Sequence, residues 1–181
     1  MTQPVVAPLS PQQRQRVVEA TGETIAQASV LFGRAFAEIP ITFELHGRAA
    51  GMYRVHRGRR VIRYNPHIFA RYFNDNLANT VPHEVAHYVT DILYGLRQVR
   101  PHGPEWQAVM RAFGAQPAVT CNYDLDGIPV RRQRRFSYRC ACTTHSLSTV
   151  RHKRVQSGRA RYSCRRCQAP LSYAGQVPET G

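Results

Sequence analysis

Apolar residues recur at helical spacing from Val17 to Phe36, at Val17, Val18, Ile25, Ala28, Leu31, Phe32 and Phe36, which predicts a long amphipathic helix. Ser10-Pro11 supplies its N-cap and first helical position, Gly33 weakens its end and Pro40 closes it. Residues 1–10, with Pro4 and Pro8, read as a flexible lead. The period then changes to two. ITFEL alternates over 41–45, and GMYRV (51–55) and RVIRYN (60–65) flank His56-Arg57-Gly58-Arg59, the tip of a hairpin. Asn65-Pro66 opens a short helix through Phe73. A second runs from about Asn76 to Tyr94 and ends at Gly95. Pro82 lies inside it, either in its first turn or kinking it just before His83. After a loop over 96–102, Pro104 opens a helix to 113 that stops at Gly114. Residues 115–135 look irregular, and the arginines at 131–135 mark a boundary before a small β module. The pattern is α+β, helices with short strands, and holds no internal repeat.

A chain of 181 residues allows one ordinary domain and a small appended module. With 43% hydrophobic and 20% charged residues it buries a core and is not disordered throughout. No run of about 18 apolar residues exists, so no membrane span is expected. No basic start followed by an apolar block opens the chain, which points to the cytoplasm.

Charge changes the picture more. Lys plus Arg is 25 against 11 acids, a net +14, and Lys153 is the single lysine. Residues 131–181 hold twelve of these bases against Glu179 alone, so +11 of the +14 sits there. Such asymmetry suggests contact with a polyanion, most often nucleic acid; a solvated basic tail is the alternative. The hairpin is basic too, with Arg48, Arg54, Arg57, Arg59, Arg60 and Arg63 and no acid between 48 and 63. The candidate nucleic-acid contacts are Arg57, Arg59, Arg60, Arg131, Arg132, Arg134, Arg135, Arg151, Lys153 and Arg154. Phosphate contact of this kind carries little sequence preference.

Two constellations carry chemistry. The first is His83-Glu84-Val85-Ala86-His87. Residues four apart share a helix face, so both imidazoles can reach one metal ion. Glu84 points about 100° round the axis, unlike a third ligand from the same face. It can instead take a proton from water beside the ion, the division of labour in hydrolytic zinc enzymes. A third ligand must come from elsewhere. His102, in PHGPEW, lies fifteen residues after His87, and Glu105 is a competing carboxylate on the next helix. His46, His56 and His67 read as surface or structural residues.

The second is Cys140-Ala-Cys142-Thr-Thr-His145 followed by Cys164-Arg-Arg-Cys167. Two ligand pairs about twenty residues apart describe a zinc ribbon, a closed site that folds a segment too small for its own core. Four ligands come from these five candidates. Cys121 stands apart and reads as a buried thiol.

Together, HEVAH, PHGPEW and YRCAC…H…YSCRRC resemble the SprT family of zinc metalloproteins, whose eukaryotic relative is the Spartan DNA–protein crosslink protease. The resemblance covers most of the chain. It implies a zincin-like domain over 11–130, a ribbon over 131–174 and a tail over 175–181. It places a catalytic zinc on His83, His87 and His102 with Glu84 as the catalytic acid, beside one structural zinc. It implies a zinc-dependent metallopeptidase acting on DNA-associated proteins, with DNA and protein substrates as partners. Many relatives carry C-x-x-C where this chain has C-x-C-x-x-H. The rival reading is a non-enzymatic zinc protein that binds nucleic acid; a zinc hydrolase of another bond, such as a nuclease, is a third.

Overall fold

A computed structural model describes residues 5–117, 123–129 and 134–176. Cys121, Arg131 and Arg132 lie outside the described residues. The chain is α+β and divides into two compact units, one before and one after residue 130.

In the first unit α1 spans Pro11–Leu31, opened by a capping box. Ser10 Oγ accepts from Gln13 N–H, and the Gln13 side chain accepts from Ser10 N–H. The helix stops five residues short of the sequence expectation. Gly33 takes φ 58°, a left-handed turn, and Phe36 reaches the core from beyond the helix. Val17, Ala20, Thr21, Ile25 and Ala28 form the buried stripe, while Val18 and Leu31 face out. The lead is not loose throughout. Leu9 is buried, Val6 N–H donates to Gly127 O at 2.8 Å, and Leu9 N–H donates to Pro66 O at 3.0 Å.

The sheet follows the hairpin reading. β2 (Gly51–His56) pairs antiparallel with β3 (Arg59–Tyr64) in the register Gly51↔Tyr64 to His56↔Arg59. Arg57 and Gly58, both at positive φ, make the turn. β1 is only Ile41–Thr42 and runs parallel to β3, which leaves β3 central and β2 at an edge. The rest of ITFEL bends away, although Leu45 stays buried and bonds Tyr64 O.

Helices α2 (Pro66–Arg71) and α3 (Phe73–Asp75) lead into a π-helical stretch, Asn76–Thr80, and then α4 (Val81–Tyr94). The single helix expected from Asn76 to Tyr94 therefore has two pitches. Pro82 offers no N–H to the preceding turn, and the wider turn ahead of it absorbs that loss. Val81, Val85, Ala86 and Val89 are fully buried against α1 and the sheet. Gly95 closes α4, and α5 (Pro104–Ala112) packs on it.

The second unit is a three-stranded antiparallel sheet ordered β5-β4-β6, from β4 (Arg135–Arg139), β5 (Thr144–Ser148) and β6 (Ser172–Gln176). Gly175 and Gln176, assigned to the tail by sequence, belong to β6. A helix absent from the sequence expectation, α6 (Thr149–Gln156), follows β5 from an N-cap at Ser148. Among the described residues, no helix is long and apolar enough to cross a membrane.

Candidate metal centre

Because α4 keeps its α pitch from Val81 onward, His83 and His87 stand one turn apart on one face. His102 arrives from the loop before α5 in a left-handed conformation, φ 57°. That backbone is costly for a residue other than glycine. Two groups help hold it. Gln107 Nε2 donates to His102 O at 3.1 Å. Gly103, whose Cβ would lie 2.9 Å from Arg100 O, lets the turn close.

The three Nε2 atoms lie 3.2 Å (His83–His87), 3.0 Å (His87–His102) and 3.1 Å (His83–His102) apart. Three imidazoles around a tetrahedral zinc, at about 2.0–2.1 Å each, are separated by roughly 3.3 Å. The donor set fits such an ion. Burial, with His83 and His102 alongside, lowers the His87 pKa to about 3, and burial lowers that of His102. Both shifts favour the neutral imidazole at His87 and His102, the form that ligation needs. Glu105 is not among the gathered donors.

Glu84, next to His83 in sequence, is buried on the side of α4 that faces β2 and is not among the gathered donors. Its Oε2 accepts the main-chain N–H of Tyr53, 2.6 Å away on the outer edge of β2. Burial pushes its carboxyl up to about 8, and the Tyr53 N–H pulls the other way. Gly51 makes the approach possible: a Cβ there would stand 2.7 Å from both Cγ and Oε1 of Glu84 and 2.8 Å from Cγ2 of Thr80. Asp91, one turn beyond His87, ties α4 to the hairpin. Its Oδ2 accepts from Tyr53 Oη and from Arg60 Nε, each at 2.7 Å, and its Oδ1 from Leu96 N–H at 3.3 Å. Arg60 is thereby set apart from Arg57 and Arg59, which are exposed at the hairpin tip.

Sequence reading missed Tyr53, Gly51 and Asp91. Asp91 could have been found from its i+4 spacing to His87, and Gly51 as a glycine opening a strand. Nothing local marks Tyr53.

In the second unit the sulfurs of Cys140, Cys142, Cys164 and Cys167 all lie within 4.8 Å of one another. Cys140 and Cys142 come from the turn between β4 and β5, with sulfurs 3.5 Å apart; Cys142 and Cys164 are 3.7 Å apart. The second turn folds around its own cysteine, since Gln168 N–H donates to Cys164 O and Arg166 N–H to Cys164 Sγ. Four thiolates so placed suit one tetrahedral ion. His145 stands outside this set of four, with Nε2 3.2 Å from Cys140 Sγ. Both sets are possible metal sites, and their donors are consistent with zinc. Arg134, Arg135, Arg151, Lys153 and Arg154 are exposed, as are Arg159, Arg161, Arg165 and Arg166.

Known proteins match this chain in sequence over most of its length. Protein SprT of Pseudomonas syringae pv. tomato is 38% identical over 153 residues, 83% of this chain and 90% of that protein. Protein SprT of Vibrio parahaemolyticus is 38% identical over 154 residues, 84% of this chain and 89% of that protein. No solved structure matches. Residues 21–134, which contain the three histidines and Glu84, match the SprT-like family, and with such relatives the chain belongs to that family.

Proposed function

We propose that the chain is a zinc-dependent metallopeptidase with a zincin-like first unit, acting on DNA-associated proteins. The observation that carries this reading is the meeting of three imidazole nitrogens within 3.2 Å, two of them from a helix that also carries a buried glutamate next to His83 in sequence. His83, His87 and His102 would hold the ion. Bound there, zinc supplies Lewis acidity: it polarises a carbonyl and brings the pKa of water towards about 7. Glu84 takes up a proton at its carboxylate and delivers it to the leaving amine. Gly51 and the Tyr53 N–H fix where that carboxylate stands. β2 is a sheet edge, so an extended peptide laid along it would run past Glu84. Cys140, Cys142, Cys164 and Cys167 would hold a structural zinc, with His145 beside them. The exposed arginines of the hairpin tip and the second unit would grip phosphate through paired hydrogen bonds, without reading sequence. This would bring DNA-bound proteins to the zinc, in the cytoplasm.

The test compares wild type with Glu84→Gln on a protein crosslinked to DNA and on the same protein free. Wild type is expected to cleave the crosslinked form faster, and Glu84→Gln to lose about a hundredfold or more of that rate. Equal rates for the two enzymes, or no cleavage by either, would favour a binding module instead.

A further inference from the structure

Trp106 is the chain's single tryptophan. It lies one turn after His102, on α5, and is buried. Its ring stands against all three imidazoles. The centroids are 4.7 Å from His83 at 65°, 5.5 Å from His87 at 29°, and 4.7 Å from His102 at 81°. Its Nε1 also donates to His83 O at 3.3 Å, joining α5 to the first turn of α4.

A ligating histidine usually donates its second ring N–H to a carboxylate or carbonyl, which fixes the ring's orientation. Among the described residues no protein acceptor stands at Nδ1 of His87 or His102. Their polar ring contacts are the Nε2 contacts within the triad. Packing can set such orientations, and one flat side chain touches all three rings.

We propose that Trp106 is a positioning residue, a rigid aromatic floor that aims the three imidazoles at one point and so sets how tightly the ion is held. This rests on the reading of the three histidines as a metal site. A large planar side chain suits the task because its ring cannot refold as a flexible aliphatic chain can. The backbone of His102 adds to the need: its left-handed conformation gains nothing unless the ring lands in place.

The experiment titrates zinc-loaded full-length protein with a competing chelator and follows release. The release step missing from a His83→Ala, His87→Ala double variant belongs to the imidazole site. Trp106→Leu is expected to weaken that step about 10- to 100-fold. Trp106→Phe keeps a flat ring and should stay within about threefold of wild type. The cysteine step should be unchanged in both. If Trp106→Leu keeps the native circular dichroism and holds this zinc as tightly as wild type, the indole only fills space and the proposal falls. A wild type with no such step removes the imidazole site itself, and the proposal with it.

Should Trp106→Leu fail to fold, wild-type fluorescence decides. Zinc added to metal-free protein should change the emission of the single tryptophan, and should not do so in the double histidine variant. Emission indifferent to zinc in wild type would overturn the assignment.

Discussion

At residue scale, the proposed chemistry of the first site turns on how Glu84 is held. Its carboxylate sits where Gly51 has no side chain and where Tyr53 donates the N–H on the outer edge of β2. Gly51→Val should therefore be costly. The atoms in the way belong to buried Glu84 and Thr80 and not to a mobile surface chain, so about 1–3 kcal/mol of stability should be lost. Glu84 should be displaced and cleavage should fall. Urea denaturation and a cleavage assay check the pair; a stable, fully active Gly51→Val would remove the close-approach argument. His83, Glu84 and His87 were legible because a helix turns a spacing of four into a shared face. Spacing alone left His102 and Glu105 as rivals, and only the resemblance of PHGPEW favoured His102. Its choice over Glu105 depends on a left-handed backbone that no spacing rule foretells. Tyr53 was not legible, because its contact with Glu84 spans 31 residues and uses its main chain.

At the scale of elements, α4 is the one on which the site depends. Its α pitch from Val81 onward aligns the two histidines, while the π-helical stretch before it takes up the loss of Pro82's N–H. The pattern showed a helix and a proline inside it, but not the change of pitch, which depends on backbone hydrogen bonding more than on side chains. The other end of α4 is anchored through Asp91. Asp91→Ala leaves the half-buried Tyr53 hydroxyl and the Leu96 N–H without this partner, and should cost about 1–3 kcal/mol. Arg60→Ala, on the more exposed side of the same ion pair, should cost less. The order of their denaturation midpoints tests this, and the reverse order would contradict it. Helix α6 escaped the sequence reading because it lacks an apolar stripe: Val150 is exposed, and arginines and Lys153 fill the turns.

At the scale of the molecule, the two units differ in what holds them. The first has a packed core of α1, α4, α5 and one sheet face. The second buries little beyond Tyr138, Leu147 and Cys164, so four thiolates around an ion would supply much of its stability. Chelation should strip amide-exchange protection from residues 134–176 and largely spare α1 and α4. Protection of 134–176 that chelator leaves unchanged would remove the structural zinc from the account. The central claim remains the gathering of imidazoles from α4 and the following loop around one ion. Zinc content per chain tests it most directly. The account predicts two zinc ions in wild type and one in the His83→Ala, His87→Ala double variant, with native circular dichroism in both; a double variant that still carries two would contradict it.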